Sequence, residues 1–479
     1  MTLHKPDRSM QRSFFRRRMV AISDVVLPLY LGAALVLGGA SAAGALSNAI
    51  LQLTGVAILC WSMAQPSFAG AASIPLTARI LLAGLVILIL VQFAPLPPEI
   101  WTRLPGRAFV EQNYRLIGQP LPWLPVSLGT ERLMGSALAL LPFLAALLLG
   151  LRTSSKGREN SVFVLIAFSL FSIGLGTIQR FGGASSAEWY PYTITNHGGA
   201  VGLFANRNHL ATLLLVAFPF TAALAARLEV GSSDSKRIAD LRRLFAGIAL
   251  LLIAGLFLVR SSAGLALLGP ALWLSFIVYW KALDKPLPRA FFPLSLCFFI
   301  GLSLFLLFGP FHGRFLDKAL STQYPVTRRT SMASTLRAAR DFFPWGSGIS
   351  SFARIYAGYE DPSSVGIEFV NHAHNDWLEV ILETGLPGLL LLVAFSGWVL
   401  AQARKIFTNG TDDVFAKAAV AALVLVLTHS LVDYPARTAA ILAVAGMAIA
   451  FACLPCPTAT EAARSCETIP SEPGHADLG

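Results

Sequence analysis

An all-α, polytopic membrane fold is predicted by three features of this chain. Hydrophobic residues make up 55% of its 479 positions and charged residues only 13%, against roughly 25% charged in soluble domains. Mean hydropathy is +0.64. The apolar residues also gather in unbroken runs near the ~20 residues that cross a bilayer as helix. These runs do not alternate with period two, which argues against a transmembrane β-barrel.

About twelve runs qualify as spans, with approximate limits 19–40, 45–64, 77–95, 132–151, 161–179, 208–227, 244–260, 263–280, 291–309, 377–400, 415–432 and 437–455. The first follows Arg16-Arg17-Arg18, as a signal peptide would. It is too long for a signal core and holds Asp24, so it reads as an uncleaved span. Two spans meet at Arg260 with almost no loop. The expected organisation is one membrane domain, 19–455. A basic N-terminus, 1–18, precedes it, and a polar, Pro-containing tail, 456–479, follows and reads as disordered.

A net charge of +11 raises the question of nucleic acid. The cations sit instead in alternate connections between apolar runs. They are Lys5, Arg8, Arg12 and the Arg triplet, then Arg152/Lys156/Arg158, Arg227/Lys236/Arg237/Arg242/Arg243, Lys281/Lys285/Arg289 and Arg404/Lys405. The positive-inside rule makes that side cytoplasmic, with both termini on it. Connections 96–131, 180–207 and 310–376 then face outward. In the last of these, Ser331–Phe343 predicts a short amphipathic helix, ended by Pro344-Trp-Gly-Ser-Gly348. Cys60, Cys297, Cys453, Cys456 and Cys466 are scattered. The Cys453-Leu-Pro-Cys456 spacing has no second pair or nearby His, so the thiols read as incidental rather than as a zinc site.

The richest segment is Asn371-His372-Ala373-His374-Asn375-Asp376-Trp377-Leu378-Glu379, running through Glu383 to Gly385-Leu-Pro-Gly388. Polar groups at the mouth of an apolar run are costly and often functional. A helix starting near His372 aligns His372, Asn375 or Asp376, Glu379 and Glu383 on one stripe. A neutral His can take a proton from an attacking hydroxyl. The plain alternative, that these groups cap a helix and pair with one another, stays open.

Four further motifs share the outer face. Arg328 and Arg329 precede the loop helix, and Arg329, Arg337 and Arg340 share one side of it. Arginine suits phosphate, although such a side can equally meet solvent or headgroups. Gly202-Leu-Phe204-Ala-Asn206-Arg207-Asn208-His209-Leu-Ala211 brings Arg207 to a span boundary, where capping would also explain it. Arg260 either snorkels to headgroups or meets an anion. His429-Ser-Leu-Val-Asp433-Tyr-Pro-Ala-Arg437 is a polar turn broken by Pro435, with an Asp433–Arg437 pair as its structural explanation. No GxxxxGK[ST] loop is present, so nucleotide-driven chemistry has no support.

These motifs resemble the O-antigen ligase and polymerase superfamily of bacterial inner-membrane glycosyltransferases. The resemblance spans roughly residues 120–450. It is carried by Gly202-x-Phe-x-Asn-x-Asn-His-x-Ala211, Arg329, Pro344-Trp-Gly-Ser-Gly348, His374-Asn-x-x-Leu-Glu379 with Gly385, and His429-Ser-Leu-Val-Asp433. It implies a GT-C-like architecture with a long periplasmic loop. The implied reaction moves a glycan from undecaprenyl diphosphate to an acceptor hydroxyl at the periplasmic face. The acceptor is lipid A core for a ligase, another lipid-linked glycan for a polymerase, and protein for some relatives.

The family's catalytic His aligns with His374, with His372 as competitor, and its diphosphate-binding arginines with Arg329 and Arg260. Arg337, Arg207, Asn375, Glu379, Glu383 and Asp433 complete the expected substrate-binding set. Direct attack would invert the anomeric centre, and with arginine carrying the charge no metal or cofactor is expected. Membrane lipid and other polysaccharide-assembly proteins are the expected partners, and nucleic acid is not. The sequence departs from many relatives at Ser350, where they carry another Gly. The rival function is a transporter or flippase for lipid-linked sugars. Against it, no internal repeat is evident and the polar motifs crowd one face.

Overall fold

The structure is a computed structural model that describes residues 8–41, 44–64, 74–284, 291–308, 328–362, 365, 370–408 and 412–453. Lys5, Lys285, Arg289, Cys456, Cys466, the loop segment 309–327 and the tail 456–479 lie outside the described residues. Helix α1 (Arg8–Leu37) joins most of the basic N-terminal segment to the first apolar run, so the expected separate arm is helical from Arg8 onward. Helices α2 (Ala45–Met63) and α3 (Leu76–Val91) follow. The next connection holds α4 (Pro98–Trp101) and α5 (Ala108–Leu116). It is closed by two-residue antiparallel strands β1 (Pro95–Leu96) and β2 (Leu124–Pro125).

Helices α6 (Thr130–Leu138) and α7 (Leu141–Gly150) form one broken span, with Pro142 just inside the second piece. Then come α8 (Ser155–Phe181), α9 (Arg207–Val230), α10 (Ser235–Val259), α11 (Ser262–Ala282) and α12 (Phe291–Phe308). The loop helices are α13 (Arg328–Phe342) and α14 (Phe352–Ala357). Helices α15 (Asp376–Thr408), α16 (Val414–His429) and α17 (Ala439–Cys453) close the chain's described part.

Eight of these helices, counting α6 and α7 as one, are long and apolar enough to cross a membrane. Helices α3, α12, α16 and α17 are apolar but shorter. The twelve expected spans thus appear as eight candidate spans and four shorter helices. The last two are shortened by polar ends: Asp413 caps α16 through the Phe415 and Ala416 amides, and Pro435–Arg437 turn as 3-10 helix before α17. The chain is an all-α, multi-pass membrane protein.

Helix α9 is the central post. Its Leu, Ala and Phe residues point all round it, and 94% of its apolar window is buried. A helix that is apolar on every side belongs inside a bundle; here α8, α10, α11 and α16 surround it. Small residues let other helices touch. A Cβ on Gly446 would fall 2.4 Å from the Phe143 carbonyl oxygen, so α7 and α17 approach backbone to backbone. Two acids inside the bundle have close partners. Asp24 accepts from the Ser154 amide (2.7 Å) and hydroxyl (2.5 Å) at the start of α8. Arg158 meets Asp413 at 2.7 Å, both almost fully buried, and lies 4.7 Å over the Phe451 ring.

At the other end the helix termini are stitched together. The Gly38 carbonyl accepts from Ala440 and the Gly39 carbonyl from Ala205, both at 3.0 Å. Above them, Phe342, Phe352, Ile355, Tyr356, Ala373 and Leu382 form a second, smaller core under the loop helices. The turn Pro344–Gly348 is laid along α15. Ser347 N–H donates to Leu382 (2.9 Å), Gly348 N–H to Glu383 (2.7 Å), and Leu386 N–H back to Pro344 (2.8 Å). This exchange is possible because Gly385 leaves helical geometry at φ 60, ψ −144, dividing α15 in two. A Cβ on Gly385 would lie 2.1 Å from the Pro344 oxygen. Ser350 itself adopts φ 71, and its hydroxyl donates to Ser136 Oγ at 2.6 Å.

Candidate active site

Helix α15 begins at Asp376, later than a start at His372. The reason is local: His374 has φ 52, a left-handed conformation that a right-handed helix does not contain. Asn375 instead caps the helix, its Oδ1 accepting from the Leu378 amide at 3.0 Å. Asp376, Glu379 and Glu383 still form the expected stripe, all buried, and the loop folds back onto it. His372 Nδ1 lies 2.8 Å from Glu379 Oε1, while Ala373 N–H donates to Glu379 Oε2 at 2.8 Å.

Arg437 is the hub of this stripe. Its guanidinium lies 3.4 Å from Asp376 Oδ1, 3.3 Å from Glu379 Oε1 and 3.4 Å from Glu383 Oε2. The Asp433–Arg437 pair expected from sequence is therefore replaced by three more distant carboxylates. Burial disfavours the charge on Arg437, yet Glu379, Glu383 and Asp376 outweigh it and hold its pKa above the ordinary arginine value. Ser430 Oγ–H donates to Asp376 Oδ2 at 2.9 Å, and the Asp376 amide donates to the carbonyls of Ser430 (2.9 Å) and Asp433 (3.1 Å). The start of α15 is thus fastened to the α16–α17 turn.

Asp433 turns to the other histidine. His374 Nδ1 lies 3.4 Å from Asp433 Oδ1, with Asp433 fully buried and the His374 side chain 31% exposed; His372 is 17% exposed. The Tyr434 ring sits among three imidazoles, with centroid separations of 4.6 Å to His372, 4.9 Å to His209 and 5.0 Å to His374. Asn206 Nδ2 donates to the Tyr434 hydroxyl at 3.2 Å. The glycine-asparagine motif at the start of α9 therefore reaches the site through Tyr434. Among the described residues neither ring nitrogen of buried His209 has a hydrogen-bond partner.

A cavity of about 1070 Å³ runs beside this cluster. Its polar end is lined by His372, Asp376, Glu379, Glu383, Arg437 and Arg132, and its body by apolar residues including Leu82, Leu391, Phe395, Trp398, Leu423 and Leu442. The shape is that of a site for an amphiphile. Each histidine has Nδ1 held by a carboxylate, which leaves Nε2 to accept a proton.

Six of the expected residues come together: His372, His374, Asn375, Glu379, Glu383 and Asp433. Arg207 opens α9 beside Asn206, its amide donating to Asn196 Oδ1 at 3.1 Å. Arg260 ends α10 with φ 54 on the short turn into α11. Arg337 is exposed and donates to Ser334 Oγ (2.9 Å) and the Tyr359 carbonyl (3.1 Å). None of these three lines the cavity. Arg329 lies in the first turn of α13 rather than before it, and its side chain is outside the described residues.

Sequence reasoning offered Asp376 only as an alternative to Asn375 on the stripe, read Arg437 as a structural partner of Asp433, and gave Tyr434 no role. The signal for Arg437 was present, since it is the cation of a short polar turn facing three acids on another span. Nothing in the pattern selects Arg132.

The fold and cluster define a multi-pass helical membrane protein with a histidine–carboxylate site beside an amphiphilic cavity. Residues 247–393, from within α10 into α15, match the family model of O-antigen ligase. The match contains Arg260, both histidines, Glu379 and Glu383, while Arg207, Asp433 and Arg437 lie beyond it. No curated protein matches the chain.

Proposed function

We propose that the protein transfers a glycan from undecaprenyl diphosphate to an acceptor hydroxyl at the periplasmic face of the inner membrane, inverting the anomeric centre without a metal. The observation that carries this reading is the pairing of His374 with Asp433 beside a cavity that is polar at one end and apolar along its body. The donor's lipid lies in the cavity with its anomeric carbon towards His372. The acceptor enters from the open side, where the more exposed His374 takes its proton through Nε2 as the oxygen attacks. Asp433 orients that imidazole and stabilises its charged form. Glu379 holds His372, and the Glu379–Glu383–Arg437 cluster shapes the sugar-facing wall.

Arg260, Arg329, Arg337 and Arg207 are offered as further contacts to the anionic or sugar groups of donor and acceptor, and Asn375 as the cap that fixes the loop. In this topology residues 1–18 and 456–479 are cytoplasmic and 310–376 periplasmic. The acceptor is lipid A core for ligase action or a second lipid-linked glycan for polymerase action. Other polysaccharide-assembly proteins are partners in either case.

The test is transfer by the purified protein in detergent, with a lipid-linked donor and a glycan acceptor. His374→Ala should lower turnover by about 10²–10⁴-fold with unchanged donor binding. Wild-type turnover in that variant sinks the assignment. A flippase is the second reading, favoured by the cavity's reach along α3 from Arg79 to Ile89. Detergent removes the two sides a flippase needs, so product formation there decides against it.

A further inference from the structure

The charges around the polar end of the cavity are unevenly placed. On the α15 wall three carboxylates, Asp376, Glu379 and Glu383, share one guanidinium, that of Arg437. A diphosphate carries several negative charges and is repelled from a wall with that balance. A different element of the lining carries positive charge. Arg132 on α6 lines the cavity, and among the described residues its guanidinium has no hydrogen bond or ion pair. Its neighbour Glu131 is directed to Arg354 at 3.1 Å.

Arg132 also stands at the right end. It lies one turn into α6 from Gly129, whose backbone packs against Ser350, and Ser350 is bonded to Ser136 one turn further along. Among the described residues the guanidinium of Arg79, which also lines the cavity, has no hydrogen bond or ion pair either, but it sits at the opposite end of α3, about 18 Å away along the helix axis from Val91. An anionic head beside the histidines therefore meets Arg132.

We infer that Arg132 holds the diphosphate of the lipid-linked donor, on α6 rather than on the acidic stripe of α15. The arrangement separates two tasks. Arg132 takes the charge that develops on the leaving diphosphate, and the acids of α15 are left to the neutral sugar. The inference rests on the reading of the cavity as the donor site.

Full-length protein in detergent is titrated with undecaprenyl diphosphate, undecaprenol and inorganic diphosphate. Binding is read from tryptophan fluorescence, since Trp377 and Trp398 line the cavity. Arg132→Ala should bind undecaprenyl diphosphate about tenfold more weakly or worse and bind undecaprenol as the wild type does. Arg132→Lys should recover part of the loss, and Arg103→Ala, an exposed arginine off the cavity, should change nothing. Equal diphosphate-lipid binding by wild type and Arg132→Ala overturns the inference alone. Wild-type protein that binds inorganic diphosphate as tightly as the lipid overturns the lipid-head assignment. Wild-type protein that binds neither lipid overturns the donor reading and the inference together.

Discussion

Arg437 is the side chain on which the buried acids depend. Three carboxylates lie within 3.4 Å of it, and Ser430, His372 and the backbone amides of Phe352, Ala373 and Ala436 are their further partners. Removing one member of a buried ionic cluster leaves its partners uncompensated, at a cost of about 3–5 kcal/mol. Arg437→Met should therefore lower the thermal unfolding midpoint in detergent steeply, while Arg437→Lys keeps the charge and loses part of the forked geometry. An unchanged midpoint in the Met variant would mean that the acids are satisfied without it. Sequence reading placed the histidines and the α15 acids correctly in one segment. It paired Arg437 with Asp433 because they are close in the chain. Arg437 and Glu383 are 54 positions apart, and a pairing over that distance is chosen by how α15, α16 and α17 pack.

Among the elements, α15 shows where apolar periodicity ends as a guide. The run from 377 to 400 reads as one helix, yet Gly385 breaks it so that the Pro344–Gly348 turn can dock on the exposed carbonyls. Only glycine adopts this backbone readily. Gly385→Ala should cost about 2–4 kcal/mol, because its Cβ meets the Pro344 carbonyl, and should also reduce transfer by displacing Glu383. Chemical denaturation beside the transfer assay checks this, and a stable, fully active alanine variant would refute it. The long apolar helices were legible because each must fill a bilayer with few charges. The start of α15 was not, because a single left-handed residue, His374, sets it. Nor was the break between α6 and α7, where no charge interrupts the run.

Across the whole molecule, the two ends of the bundle are held by different means. The end bearing the site is stitched by backbone hydrogen bonds and the acid cluster. The other is clamped by Arg158–Asp413, which joins α8 to the cap of α16 over the Phe451 ring of α17. Asp413→Asn keeps an N-cap for α16 but should destabilise the protein by about 3–5 kcal/mol, whereas adding Arg158→Met to it should recover most of that loss. Unfolding midpoints of the single and double variants separate these outcomes; a double variant as weak as the single one would show that the pair has a role beyond mutual neutralisation.

The position of Arg437 also bears on how the protein is made. Chains emerge from the ribosome N-terminus first, and here the acids of α15 enter the membrane well before the turn that neutralises them. Until α16 and α17 follow, Asp376, Glu379 and Glu383 face an unfinished groove, and His374 has no Asp433 to orient it. The site is therefore completed only when the α16–α17 hairpin has been added. A nascent or truncated chain that ends between the close of the family match and Asp433 contains every matched residue, yet lacks the carboxylate and the guanidinium that organise them.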